Sequence, residues 1–342
     1  MTLTQPLRLM GAPGSPYTRK MLAYLRYRRI SYEFMLGDQS TNQDMPKPKV
    51  ELLPTFYLPN DDGEIEAVVD STPLIRRFEQ AFSGREAVPS NPVLAFINYL
   101  IEDYADEWLT KSMFHYRWYY DADIQKAGSI LPLWRGLQMD KEQHKKYSSF
   151  VADRQISRLY VVGSNDVTAP VIEASYQRFL GIMEELITHQ TYVLGARPSS
   201  ADFGIYAQMT QLAKFDPTPM SICLKLAPRV YAWTDVVDDL SGQVCEEDAW
   251  MPVDTVREKL GPLLSEIGRV YTPVLLANAK AMQAGDKQMQ TTIDGKPWEQ
   301  PTFPYQGRCL AWINEEYHKL NDENRKRVDS ILSGTGCEEM LR

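Results

Sequence analysis

Strand-like and helix-like patterns alternate only near the beginning of the chain, between residues 7 and 82. Leu7 to Met10 is a short apolar run that ends at a turn rich in glycine and proline, and from Pro16 apolar residues recur at helical spacing. A second helix is predicted after Pro73, where apolar residues again recur at helical spacing. Further strands are predicted at 32–36, 55–58 and 65–69, the last two joined by a hairpin turn at 60–63. This order predicts a small α/β unit.

After residue 91 the strand signals stop and long helical patterns follow. Residues 92 to about 120 carry a broad apolar face interleaved with acidic residues. A segment made only of amphipathic helices predicts a helical bundle. Further helices are predicted at 140–161, 167–189, 200–213 and 221–240.

The last hundred or so residues, after Trp250, carry a third pattern. An apolar stripe over 253–270 predicts a helix, which Pro262 and Pro273 are expected to kink or interrupt. A small hairpin is predicted within 288–302, and residues 305–331 return to a helical pattern with a break near Asn321. The sequence therefore predicts ordered structure here, not a flexible tail.

A chain of 342 residues is long for one domain, so we expect domains at 1–85 and 91–245 and an extension at 246–342.

The charge, the apolar runs and the cysteines exclude several classes of protein. The net charge is −8, with no large basic cluster, which disfavours nucleic-acid binding. No long apolar run or secretory signal is present, so we expect a cytoplasmic protein without a membrane span. Because the four cysteines are widely separated, we expect no metal site and no disulfide framework.

Three short polar motifs lie where predicted strands meet helices or irregular chain. The first is Ser15, which precedes Pro16 at the start of the first helix, where a helix dipole favours an anion. The second is Leu53-Pro54 before a strand, and the third is Asp70-Ser71 between a strand and a helix. Each has an ordinary structural interpretation, since serine and aspartate are common helix caps and most prolines are trans.

Together, in this order and spacing, the three motifs resemble the glutathione-binding domain of the cytosolic glutathione transferase superfamily. In the helical region, Ser199-x-x-Asp202 resembles the superfamily's buried helix-start motif and is a capping box with Asp in place of Glu. The resemblance covers residues 5 to about 240 and implies an α/β thioredoxin-like domain followed by an all-α helical domain. The mostly helical extension after residue 250 is a departure from that pattern.

The resemblance implies a role for each motif in binding glutathione as a co-substrate. The cysteinyl backbone of glutathione would pair with the main chain of Leu53, and Pro54, expected in the cis form, would hold that edge open. Asp70 would pair with the α-amino group of the γ-glutamyl end. Ser71 and the N–H groups that open its helix would bind the α-carboxylate. The family also implies a homodimer.

The thiol of glutathione would then point to the start of the first helix. Ser15 is the first candidate for the hydroxyl that stabilises the thiolate, and Tyr17 is the alternative, because related enzymes use either residue type near this loop. No cysteine precedes Cys223, so thiol exchange through a first-helix cysteine is excluded and conjugation is favoured.

The second substrate is expected to be a hydrophobic electrophile that binds between the domains. An aromatic stripe at helical spacing is usually core, but here it could also form one wall of a pocket. The residues expected there are Tyr104, Trp108, Phe114 and His115.

Two functions remain open from the sequence. One is a glutathione transferase that adds the thiol to an electrophile. The other is a non-catalytic binding or scaffold protein with the same fold, whose extension covers the cleft or recruits a partner, because a fold does not guarantee an activity.

Overall fold

The computed structural model describes residues 3–38, 40, 44–246 and 249–341. Its N-terminal part contains every element predicted between residues 7 and 82, in the predicted order. The strands are β1 (Leu7–Gly11), β2 (Tyr32–Leu36), β3 (Thr55–Pro59) and β4 (Ile65–Val68), and the helices are α1 (Pro16–Arg28) and α2 (Ser71–Ala81).

The four strands form one mixed sheet in the order β2-β1-β3-β4. β1 lies parallel to β2 and antiparallel to β3, so Leu9 has Phe34 on one side and Phe56 on the other. β3 and β4 are antiparallel and joined by the predicted turn, in which the Asn60 N–H donates to Glu64 O at 2.8 Å. The buried strands β1 and β3 lie in the centre and β2 at one edge is largely exposed. This confirms the thioredoxin-like domain.

Helix α1 connects the sheet to the rest of the molecule. Ser15 is its N-cap and accepts a hydrogen bond from the Thr18 N–H, and Pro16 occupies the first helical position. The fully buried rings of Tyr24 and Tyr27 both pack on Phe203, with ring centroids 6.0 and 5.6 Å apart. One face of α1 is therefore buried against the helical region.

The helical region contains eight α-helices among the described residues. They are α3 (Pro92–Tyr104), α4 (Thr110–Tyr119), α5 (Asp121–Leu133), α6 (Lys141–Ile156), α7 (Ala169–His189), α8 (Ser200–Leu212), α9 (Pro217–Leu226) and α10 (Pro228–Asp238). A π-helical turn, Ala105–Leu109, joins α3 to α4 without a break. Helix α5 was not predicted. The single helix predicted over 221–240 is wrong, because Pro228 separates α9 from α10, and the residue before a proline avoids helical geometry.

The extension is ordered and mostly helical, as predicted. It contains α11 (Val256–Ala284), the hairpin β5 (Gln288–Ile293) and β6 (Lys296–Pro301), α12 (Pro304–His318) and α13 (Asp322–Leu332). Neither Pro262 nor Pro273 interrupts α11, so of the two predicted effects only a kink stays a prediction. Apolar residues on both sides of each proline are buried, and this packing outweighs the one backbone hydrogen bond that each proline removes.

The extension packs on the helical region through aromatic and charged side chains. The Tyr271 ring lies against Tyr104, and its hydroxyl donates to Asp103 Oδ2 at 2.6 Å. Arg178 forms a bidentate ion pair with Glu266, with contacts of 2.7 and 2.8 Å.

The boundaries near residues 85, 91 and 245 remain our proposal for the division into domains. No helix in the described part of the chain is both long enough and apolar enough to cross a membrane.

The predicted capping box begins helix α8 and is fully buried. Ser199 Oγ accepts from the Asp202 N–H, and Asp202 Oδ2 accepts from the Ser199 N–H at 2.9 Å. Asp202 Oδ1 also accepts from the Val193 N–H at 2.8 Å, so the same carboxylate holds the preceding loop. The pair thus fixes the start of the helix on which α1 packs.

Replacing Asp202 with alanine should destabilise the fold strongly, because the buried N–H groups of Val193 and Ser199 would lose their acceptor. We expect the free energy of unfolding to fall by about 2–4 kcal/mol in denaturant titrations. Asp140→Ala removes the exposed cap of α6, where Asp140 Oδ1 accepts from the Gln143 N–H. This matched control should cost about 0.5–1 kcal/mol. Equal losses in the two variants would contradict a special role for the buried box.

Candidate functional site

A cavity of about 840 Å³ lies where the N-terminal domain, the helical region and the extension meet. Each of the three parts contributes one wall. The N-terminal wall includes Leu53, Pro54, Asp70 and Ser71, the helical wall Asp103, Asp106, Glu107, Thr110 and Lys111, and the extension wall Phe303, Tyr305, Gln306, Arg308 and Trp312.

The segment before β3 forms one end of the N-terminal wall. The Leu53–Pro54 peptide bond is cis, as the family resemblance implied. The carbonyl of Leu53 accepts a hydrogen bond from Ser15 Oγ at 3.1 Å. Ser15 therefore does not line the cavity itself but is hydrogen-bonded to Leu53, which does. The structure thus brings the first and second motifs together.

Asp70 and Ser71 form the other end of the N-terminal wall, where β4 passes into α2. Asp70 is at the N-cap position with φ 83°, a backbone conformation that residues with a side chain rarely adopt. Its Oδ2 accepts from the Tyr305 hydroxyl at 2.9 Å, a contact from the extension that the sequence did not predict. Burial raises the pKa of Asp70, although Tyr305 and Lys20 act in the opposite direction.

A fully buried lysine lies directly behind Ser71. Lys20 Nζ donates to Ser71 Oγ at 3.1 Å, to Glu102 Oε1 at 2.8 Å and to Asp106 Oδ2 at 2.5 Å. Since the ammonium donates to the Ser71 oxygen, the hydroxyl proton of Ser71 is left for an acceptor in the cavity. The sequence analysis did not predict a role for Lys20. Its position one turn before Tyr24 places it on the buried face of α1, where a lysine is unusual, and this was the available signal.

Charge pairing compensates the burial of Lys20. Burial lowers the pKa of an ammonium, but Asp106 and Glu102 outweigh this effect, so the pKa of Lys20 is raised. The pKa of Glu102 falls to about 2, because Lys20 and Arg76 together outweigh its burial. Burial raises the pKa of Asp106 to about 6 despite Lys20. At neutral pH the cluster therefore contains a cation and two carboxylates in contact with it.

The two candidate hydroxyls differ in what they contact. Ser15 Oγ accepts from Thr18 N at 3.2 Å and donates to Leu53 O. Tyr17 lines the cavity, but its hydroxyl donates to the backbone oxygen of Asp106 at 2.7 Å and also contacts Thr110 Oγ1 at 3.0 Å. Burial, with a contribution from Glu107, raises the pKa of Tyr17 well above its usual value.

The aromatic residues expected at the second-substrate pocket lie elsewhere, which corrects that prediction. Tyr104, Trp108 and His115 are each 0% exposed and belong to the core. Trp108 Nε1 donates to Ser175 Oγ at 3.0 Å, and the two His115 ring nitrogens contact Ser164 and Glu173. Phe114 is half-buried and packs on Trp118, with ring centroids 6.4 Å apart.

The segment of the helical wall between residues 103 and 111 is polar instead. The polar residues that line it are spaced over 103–111 at helical intervals, on a different face from Tyr104 and Trp108. Burial raises the pKa of Asp103 to about 7, with Asp106 and Glu102 as smaller causes. Burial likewise lowers the pKa of Lys111 to about 8. The extension adds Phe303, Tyr305 and Trp312 to the aromatic lining, which also includes Tyr17, Tyr99 and Tyr160 from the other two parts of the chain.

The chain matches one family model, the N-terminal domain of glutathione S-transferase, over residues 9–86. This match covers the sheet, both of its helices and the three motifs. Residues 9–86 are therefore a glutathione S-transferase N-terminal domain. No curated protein sequence matches the chain significantly.

Solved structures of glutathione transferases are similar to the chain at low sequence identity. A family member from Pseudomonas fluorescens Pf-5, solved with two glutathione bound, is 12% identical over 68% of this chain and 89% of its own, with a TM-score of 0.44. One from Methylobacterium radiotolerans, in complex with glutathione sulfonate, is 16% identical over 68% and 90%, with a TM-score of 0.41. Glutathione Transferase E6 from Drosophila melanogaster is 18% identical over 75% and 91%, with a TM-score of 0.37.

Lys20→Met should destabilise this glutathione S-transferase domain, because it removes the cation shared by the buried carboxylates of Glu102 and Asp106. We expect a loss of about 3–5 kcal/mol in the free energy of unfolding. Lys214→Met is the control, since Lys214 pairs with Asp235, whose side chain is 70% exposed. Its loss should stay below about 1 kcal/mol. A Lys20 variant as stable as the Lys214 variant would show that the cluster does not support the fold.

Asp103→Asn should change how stability depends on pH. The pKa of Asp103 is about 7 in the folded chain against 3.8 for the ordinary carboxyl. The folded state therefore holds this proton more tightly, and wild-type stability falls as pH rises from about 4 to 7. Denaturant titrations at pH 4 and pH 8 would give the free energies of unfolding of D103N and wild type. We expect the difference, D103N minus wild type, to be about 2–4 kcal/mol larger at pH 8 than at pH 4. A difference that does not vary with pH would contradict the raised pKa.

Proposed function

We propose that the cavity binds glutathione and that the protein transfers its thiol to an electrophilic small molecule. The observation that carries the proposal is the shared position of the three motifs. Leu53 and the Asp70-Ser71 pair line one cavity, and Ser15 contacts Leu53 directly. The family match of residues 9–86 supports glutathione as the ligand.

At the γ-glutamyl end, Asp70 would accept from the α-amino group of glutathione. Ser71 would donate its hydroxyl to the α-carboxylate, together with the N–H groups at the start of α2. Lys20 supports this arrangement because it donates to the Ser71 oxygen and adds positive charge behind the hydroxyl. An anionic carboxylate therefore finds local donors, although the net charge of the chain is −8.

At the cysteinyl residue, the main chain of Leu53 would pair with the glutathione backbone as an added strand. This places the thiol near the start of α1. The first N–H groups of that helix belong to Tyr17 and Thr18, because Pro16 has none, and the Thr18 N–H is already bound to Ser15 Oγ.

Ser15 and the N-terminus of α1 together could supply the free energy needed to stabilise the thiolate. Lowering a thiol pKa from about 8.5 by two units requires about 2.7 kcal/mol. A hydroxyl hydrogen bond to an anion contributes about 1.5–3 kcal/mol and a helix N-terminus about 0.3–1 kcal/mol. Ser15 would have to exchange its bond to Leu53 O for one to the thiolate. Tyr17 is the weaker alternative, because its proton is donated to Asp106 O.

The electrophile would occupy the rest of the cavity, towards the extension. We propose a hydrophobic electrophile, because exposed apolar side chains lie at the opening, including Val50, Leu52 and Tyr160. Phe303 and Trp312 continue this apolar surface inward. A homodimer and a cytoplasmic location are part of the same proposal and follow from the family.

A non-catalytic binding or scaffold protein with the same fold is the second candidate. One observation favours it: the Ser15 proton and one Asp70 oxygen are both engaged within the chain, by Leu53 and Tyr305. Immobilised glutathione and a panel of electrophiles separate the candidates. Binding with turnover supports the transferase, and binding without turnover supports the non-catalytic candidate. Failure to bind glutathione contradicts the transferase.

Ser15→Ala should raise the pKa of the bound thiol by about one to two units and lower kcat/KM by about 10- to 100-fold, because the thiolate loses its hydroxyl donor. The readout is the pH dependence of kcat/KM with an excess of electrophile. Tyr17→Phe is the matched control and should leave that profile in place. A profile that moves in Tyr17→Phe and not in Ser15→Ala would assign activation to Tyr17.

A further inference from the structure

The C-terminal extension reaches the part of the cavity where the γ-glutamyl end of glutathione would bind. We propose that Tyr305 is a positioning residue of this site, which holds the Asp70 carboxylate for the α-amino group of glutathione. The inference rests on the proposed function and deepens it, because it assigns a role to a segment outside the matched residues 9–86.

The contact between the two residues joins distant parts of the chain. The Tyr305 hydroxyl donates to Asp70 Oδ2 at 2.9 Å, and the two residues are 235 positions apart in sequence. Both line the cavity, and so do Ser71, Thr72 and Arg76 around them. The space for a ligand is therefore present while this hydrogen bond is made, which favours a role in positioning over one in blocking.

The segment that carries Tyr305 is fixed to helix α11. Asn278 is fully buried, and its side chain accepts from the Phe303 N–H at 2.8 Å and donates to Phe303 O at 3.0 Å. The Thr302 N–H donates to Lys287 O at 3.0 Å. These bonds hold the start of α12, so the backbone that presents Tyr305 has a defined position.

The ring of Tyr305 is also held from its sides. It makes an edge contact with Trp312 at 5.9 Å between centroids, and Arg308 lies over its face at 5.0 Å. A phenol fixed in this way loses little conformational freedom when it donates its one proton. The hydroxyl is therefore well placed to orient one oxygen of Asp70.

The chemistry of the pair fits an ammonium ligand. A carboxylate has about four acceptor positions on two oxygens, and Tyr305 uses one of them. The Thr72 N–H also interacts with this carboxylate. The remaining acceptor positions are left for an ammonium group, to which a charge-assisted hydrogen bond is stronger than a neutral one. Without Tyr305 the carboxylate would lose a donor that favours its ionised form and its orientation, and the ammonium group would bind more weakly.

The test compares two ligands on purified full-length protein by isothermal titration calorimetry. One is glutathione, and the other is glutaryl-cysteinylglycine, which lacks the α-amino group. Tyr305→Phe should weaken glutathione binding by about 5- to 30-fold and leave the binding of the analogue unchanged. Tyr317→Phe is the matched control on the same helix, because its hydroxyl donates to Asp329 Oδ1 at 2.6 Å. This control should leave the affinities for both ligands unchanged.

A double-mutant cycle separates positioning from a general structural effect. In an Asp70→Asn background, adding Tyr305→Phe should change glutathione affinity by less than about twofold, since the carboxylate is already absent. Equal weakening of both ligands by Tyr305→Phe would overturn the inference, and so would unchanged or tighter glutathione binding. If the wild-type protein binds no glutathione, the proposed function fails first and the inference fails with it.

Discussion

The buried ion cluster around Lys20 is the interaction on which the arrangement of the site depends. Its ammonium contacts Ser71 from α2, Glu102 from α3 and Asp106 from the π-helical turn, so one side chain of α1 joins the sheet domain to the helical region. Burying a charge costs several kcal/mol unless partners compensate it, and here two carboxylates and two hydroxyls do so. The position of Ser71 relative to the cavity is thus set by the same contacts that hold the two parts of the chain together.

The extension changes what the N-terminal domain can do alone. It supplies three aromatic residues of the cavity lining, and one of them, Tyr305, makes a direct contact to Asp70. It also packs on the helical region through Tyr271, which reaches Asp103 on the wall of the cavity. The extension is therefore part of the candidate site, and a fragment limited to the matched residues would lack two of the three walls.

Much of the fold could be predicted from sequence, because each motif lies at an element boundary where local chemistry is decisive. Ser15, the Leu53-Pro54 bond and the Ser199-Asp202 box all take the local structures expected of them. The cavity wall could not be predicted in the same way. The stripe containing Tyr104 and Trp108 is core, whereas the polar face with Asp103 and Lys111 lines the cavity, since which face is covered depends on the packing of α7, α8 and α11. The contact of Tyr305 with Asp70 is a long-range one, for which a single sequence carries no local signal.

A crystal structure of this chain with glutathione would show whether all three parts of the chain form one glutathione site. We expect the α-amino group of glutathione within hydrogen-bond distance of Asp70, with Tyr305 still bound to that carboxylate. We also expect the cysteinyl backbone paired with Leu53 and the thiol near Ser15. Glutathione bound at another place, or bound in the cavity only after Tyr305 has been displaced from Asp70, would contradict this expectation.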